Sequence, residues 1–112
     1  MEIADLERNA ETAAGLLQAM GNANRLMILC HLLAGEATVG ELTRRVGMSQ
    51  SALSQQLAKL RNLKLVETRR EAQQIFYSLA SAEVRRLLMT LHEIYCEPGV
   101  RSGASPVPSA SI

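Results

Sequence analysis

A chain of 112 residues, 47% hydrophobic and 21% charged with a formal net charge of +1, has the length of one compact domain; a domain so small buries only about two-thirds of its unfolded surface, so support from a second subunit is expected. No apolar run approaches the roughly 18 residues of a membrane span, and the acidic start Met1-Glu2-Ile3-Ala4-Asp5 is unlike a secretory signal. Two distant cysteines without an export signal do not make a disulfide scaffold, so the chain reads as cytoplasmic with thiols that start reduced.

In chain order, Leu6, Ala10, Ala13, Leu17 and Met20 recur at helical spacing and predict a first amphipathic helix with a narrow apolar seam. Gly21 ends it and Asn22 caps the next. From Leu26 to Leu33 apolar residues lie almost all round, which predicts a central, buried helix closed by Gly35. Thr38-Val39-Gly40-Glu41 is a capping box opening a short helix with Val39, Leu42 and Val46 inside. Gly47 breaks that helix, and Ser49 caps another to about Asn62 whose inner face is Leu53, Leu57 and Leu60. Two short helices joined by Gly47-Met48-Ser49 form a helix-turn-helix. Leu65–Thr68 and Ile75–Leu79 read as two strands, with Arg69 to Gln74 as the hairpin tip. Ser81 caps a last helix striped by Val84, Leu87, Leu88, Leu91, Ile94 and Tyr95, which Pro98 and Gly99 stop. The expected division is a winged helix-turn-helix DNA-binding and dimerisation domain over 1–97 and a disordered Ser/Pro/Gly-rich tail over 98–112.

The near-zero net charge conceals an asymmetry. Residues 41–70 carry seven Arg and Lys against Glu41 and Glu67, whereas the segments on either side are net acidic. A basic middle third is the footprint of a polyanion-binding face or, equally, an ordinary solvated surface. With only Phe76, Tyr77 and Tyr95 as aromatics, stacking on single-stranded bases is not expected. A helix in the major groove meets base edges with its outward N-terminal side chains. On the second helix of the motif those are Gln50, Ser51, Ser54 and Gln55, the residues expected to read bases. Arg44, Arg45, Lys59, Arg61, Arg69 and Arg70 are expected at phosphates.

Asn24-Arg25-Leu26-Met27-Ile28-Leu29, Gly40-Glu41-Leu42, Ser49-Gln50-Ser51-Ala52-Leu53-Ser54-Gln55-Gln56-Leu57, Arg69-Arg70-Glu71 and Phe76-Tyr77-Ser78-Leu79 together resemble the ArsR family of bacterial transcriptional repressors over about residues 5–96. The resemblance implies a mainly α, winged helix-turn-helix fold of five helices with a β-hairpin before the last. It also implies a homodimer through the first and last helices and, as double-stranded partner, an inverted-repeat operator. Gln56 and Ala72-Gln73 depart from relatives that carry His and Gly there, so base preference and wing shape are not carried over.

Family members differ in what they sense. The helix from Thr38 lacks the Cys pair of an arsenic-type site, and the last helices lack the His and acidic ligands of a zinc site. Cys30, with Leu26 and Leu33 on its face, fits a small buried hydrophobe. Cys96 falls in the final turn beside Met89 and His92, where a partly exposed thiol is open to oxidation and His92 could tune it. The two cysteines in Leu29-Cys30-His31 and Tyr95-Cys96-Glu97 are similar in position to those of the persulfide-responsive subgroup. That similarity implies a Cys30–Cys96 disulfide or polysulfide bridge, formed by persulfides or polysulfides, that releases the operator and derepresses sulfide-detoxification genes. Two alternatives stay open: a thiophilic metal held by Cys30, His92 and Cys96, or a non-sensing DNA binder with structural cysteines. No resident cofactor and no enzymatic activity are expected, since neither Cys-x-x-Cys nor a base–nucleophile grouping is present. His31 reads as a partly buried structural residue.

Overall fold

The computed structural model describes residues 2–96; the tail over 98–112 lies outside them. The elements run α1 (Ile3–Arg8), α2 (Ala10–Met20), α3 (Ala23–Leu33), β1 (Ala37–Thr38), α4 (Val39–Val46), α5 (Gln50–Asn62), β2 (Val66–Glu71), β3 (Gln74–Leu79) and α6 (Ala82–Tyr95). The caps expected from the sequence are all in place. The side-chain oxygens of Asn22, Ser49 and Ser81 each accept a hydrogen bond at 3.1 Å from the backbone N–H three residues on. At Thr38 the capping box is reciprocal: Oγ1 accepts from the Glu41 N–H at 3.2 Å, and Glu41 Oε1 accepts from the Thr38 N–H at 2.9 Å. A cap of this kind is worth about 1 kcal/mol, and here four of them set where helices begin.

Three expectations are corrected. The first helix is two helices, broken at Asn9. The Asn9 side-chain amide donates to the Asp5 carbonyl at 2.9 Å, the acceptor an α-helix would reserve for the Asn9 backbone. That backbone N–H turns instead to Leu6 at 3.1 Å, as side-chain competition for local carbonyls dictates. The helix over 26–33 is buried on one side only. Ile28, Leu29 and Leu32 are in the core, Leu26, Cys30 and Leu33 are half-buried, and Met27 is 48% exposed. The reason is that α4, β3 and α6 pack on α3, while α2 contributes only its last two residues, Ala19 and Met20, to the core. The wing is longer than expected at its tip. β2 continues through Arg69 and Arg70 to Glu71, in register with Phe76, Ile75 and Gln74, and only Ala72 and Gln73 turn the chain. Ala72 does so at a φ of 56°.

A further strand, β1, was not expected. It pairs antiparallel with β3 through Ala37 and Tyr77 and through Thr38 and Phe76, giving a sheet of order β1-β3-β2. Two residues flanked by Gly35 and a capping box leave too little pattern for a strand to be read. Leu42, Leu53, Leu57, Leu60, Val84 and Leu88 are fully buried with the α3 residues, so the helix-turn-helix stands on the same core as α3 and α6.

Candidate nucleic-acid interface and thiol pair

The turn between α4 and α5 depends on Gly47, whose φ of 82° is left-handed and favours a residue without Cβ. Burial of Leu53, Leu57 and Leu60 fixes the rotation of α5 about its axis and leaves Gln50, Ser51, Ser54 and Gln55 exposed. Arg44 and Arg45 end α4 and Lys59 and Arg61 end α5, while Arg70 lies on β2. All five are exposed, and among the described residues none of these side chains makes an ion pair or hydrogen bond. Cations without an ion pair beside a polar helix face are suited to phosphates on either side of a groove, although the Glu41 carboxylate acts on Arg44 and Arg45 through its charge. Gln56 differs from its neighbours, being half-buried with Oε1 buried and unpartnered.

Arg69 departs from the other basic residues. Its Nε donates to Glu36 Oε2 at 3.0 Å, its Nη2 to Glu36 Oε1 at 2.5 Å and its Nη1 to Glu71 Oε1 at 2.8 Å. Its guanidinium carbon also sits 4.7 Å from the centroid of the Phe76 ring. Hydrogen bonding from Arg69 holds the Glu36 carboxyl below the usual carboxylate range. The guanidinium is thus paired within the protomer, unlike the other basic side chains with which its sequence position grouped it. Glu36 had no signal of its own: 33 residues separate it from its partner.

Both cysteines are free thiols. Cys30 is half-buried on α3, and Cys96 is the exposed C-cap of α6, where its N–H bonds the His92 carbonyl at 2.7 Å. The helices that carry them pack together. Burial pushes the Cys30 thiol up from its ordinary value, and the charge of nearby Cys96 pushes it further in the same direction; His92 is not among the causes. Cys30 opens onto a cleft of about 310 Å³ lined also by His31, Ala34, Gly35, Glu36 and Arg45. The three-ligand metal alternative does not assemble: among the described residues no three His, Cys, Asp or Glu side chains group as metal ligands.

A buried-seam helix-turn-helix, a β-hairpin wing and an unpaired basic rim define a winged helix-turn-helix of the DNA-binding regulators. The family model described as bacterial regulatory protein, arsR family, matches residues 22–68. The chain is 52% identical over 97 residues to the transcriptional activator HlyU of Vibrio cholerae, covering 87% of this chain and 90% of that protein. The structure of reduced HlyU from that organism matches with a TM-score of 0.78, over 85% of this chain and 100% of that one. The transcriptional repressor BigR from Xylella fastidiosa, 43% identical, matches with a TM-score of 0.81 over 87% and 99% of the two chains. A homodimeric winged helix-turn-helix DNA-binding domain from Mycobacterium bovis, 29% identical, matches at 0.69 over 84% and 86%. The chain belongs to the ArsR family: it is a DNA-binding transcriptional regulator and not an enzyme. Regulators of this family bind operator DNA and are homodimeric. No helix among the described residues is long and apolar enough to cross a membrane.

Proposed function

We propose that this protein is an operator-binding repressor released by persulfides through Cys30 and Cys96. Two protomers, joined through the helices at either end, set their α5 helices about one DNA turn, roughly 34 Å, apart on an inverted repeat. Gln50, Ser51, Ser54 and Gln55 read base edges, and Arg44, Arg45, Lys59, Arg61 and Arg70 hold phosphates. The observation that carries the switch is the pairing of a half-buried thiol on α3 with an exposed thiol at the end of α6, close enough for the charge of one to act on the other. That HlyU from Vibrio cholerae has a structure described as reduced adds support, as does the similarity to BigR, a transcriptional repressor.

The chemistry needs no further oxidant. A protein thiolate attacks the outer sulfur of a persulfide, whose own thiolate leaves, and a protein-bound persulfide results. The second cysteine attacks its inner sulfur and expels hydrosulfide. Two protein thiols and one persulfide become one disulfide, one small thiol and one hydrogen sulfide, and further persulfides lengthen the bridge. Exposed Cys96 meets the reagent first; Cys30, whose thiol burial holds above its ordinary range, gives up its proton to the departing hydrosulfide as its sulfur attacks and resolves. The genes released are those that remove sulfide. The test combines intact mass with operator titration, before and after glutathione persulfide, on the natural chain and Cys96→Ser. A Cys30–Cys96 link accompanied by lost operator binding, both absent from Cys96→Ser, is expected. Unmodified thiols, or release that survives Cys96→Ser, would sink this reading in favour of structural cysteines.

A further inference from the structure

Glu36 lies in the link between α3 and β1 and meets two regions at once. It lines the cleft that contains Cys30, and both of its carboxylate oxygens accept from Arg69 on β2. Such a two-point fork fixes direction as well as distance. Arg69 is held on its remaining edge by Glu71 and over its face by Phe76. Phe76 in turn stands in register with Thr38 on one side and Arg69 on the other. The end of the thiol-bearing helix is therefore tied to the outer wing strand β2 through one guanidinium, beside the direct packing of β3 on α3. The backbone route between the same two regions is slight, since β1 contributes only Ala37 and Thr38 to the sheet.

We propose that Glu36 and Arg69 form a positioning pair that sets the wing against the helix-turn-helix and carries movement of the end of α3 into the wing. Arg69 then acts on DNA binding through wing placement and not through a phosphate. The inference rests on the thiol-switch reading, because it supplies the route from the bridge to the DNA. Joining Cys30 to Cys96 draws α3 and the end of α6 together. Cys30 is one turn from Ala34, the C-cap of α3, so displacement of this stiff helix moves Glu36, and the fork obliges Arg69 and β2 to follow. A second consequence concerns charge. With Arg69 paired to Glu36 and Glu71, Arg70 is the wing cation left to phosphates, and removing the Glu36 charge leaves Arg69 with Glu71 as its one carboxylate partner.

The test uses the full chain as natural protein, Glu36→Gln and Arg69→Lys, the second keeping the charge but losing the fork. Operator affinity is measured in the reduced and bridged states and across salt, with bridge formation followed by mass and folding by thermal melting. In the natural protein bridging is expected to weaken operator binding by about 30-fold or more, within the usual range of coupling between sites. Both variants are expected to form the bridge at the natural rate, yet the weakening should fall below about 5-fold. In reduced Glu36→Gln, where Arg69 keeps only its Glu71 partner, the salt dependence should steepen by up to about two phosphates per dimer. Weakening that persists at the natural level in both variants overturns the proposed route, and an unchanged salt slope overturns the masking of Arg69. The natural protein reports separately on the underlying switch: if it does not bridge, or bridges and keeps its operator, the switch and this inference fail together. Should Glu36→Gln not fold, Arg69→Lys decides the coupling alone.

Discussion

At the scale of single residues, the thiol environment makes the sharpest statement. Burial and the neighbouring Cys96 both raise the Cys30 thiol, each by disfavouring the thiolate. The sign follows: the unfolded chain releases this proton at lower pH than the folded protein. The stabilisation is therefore complete below the ordinary thiol range and is lost as pH rises through the raised folded value. Alkylation of Cys30 by iodoacetamide should accelerate only above the usual thiol range, and Cys96→Ser should lower the pH midpoint of that curve. A midpoint unmoved by Cys96→Ser would mean that the thiols are not electrostatic neighbours. The resemblance implied a role for both cysteines; that their helices pack together was not legible, because nothing local encodes the packing of α3 on α6.

At the scale of elements, α5 divides its residues between two tasks. Leu57 is fully buried while Gln55, two residues earlier, is exposed. Truncating Leu57 to Ala should cost about 2–5 kcal/mol in urea unfolding, the range for a buried Leu that leaves a cavity, and operator binding should fall with the folded fraction. Gln55→Ala should leave stability within about 0.5 kcal/mol but lower the preference for the cognate operator by about 1–3 kcal/mol of discrimination against a substituted site. Equal losses on cognate and altered operators would remove Gln55 from the base-reading face. The periodicity of Leu53, Leu57 and Leu60 foretold this division because a helix of 3.6 residues per turn converts spacing directly into facing. The break at Asn9 escaped the same reasoning. Its cause is one side-chain amide competing for the Asp5 carbonyl, and the apolar spacing continues through it undisturbed.

At the scale of the whole molecule, the protomer leaves apolar surface uncovered. Leu6 and Leu17 on the first two helices are 45% and 60% exposed, and Met89 and Ile94 on α6 are 50% and 51% exposed. Side chains of this kind at the chain's two helical ends are what a homodimer of this family would cover, each contributing about 1.5–3 kcal/mol on full burial. Leu17→Glu places a charge in that surface. It should shift the sedimentation coefficient from dimer to monomer at micromolar concentration and weaken binding to a full inverted repeat far more than to a half-site. Retention of the dimer would exclude α2 from the interface.

What the sequence determined by itself is what depends on neighbours along the chain. The caps at Asn22, Thr38, Ser49 and Ser81, the turn at Gly47 and the inner faces of α4 and α5 were all readable, because hydrogen bonds three residues apart and helical periodicity are local; on α6 the apolar stripe runs on to Ile94 and Tyr95, which the protomer leaves exposed. From these the winged helix-turn-helix followed, along with the polar face between basic flanks. Only the tertiary structure decided which cations stand without an ion pair and which thiol-bearing helices are neighbours. Arg69 and Arg70 are adjacent in sequence, yet Glu36 claims one and leaves the other open. The added strand β1 and the half-exposed α3 belong to the same class of fact. Each depends on partners brought together by burial of a common core, and a charge or a face is satisfied only by what the fold sets against it.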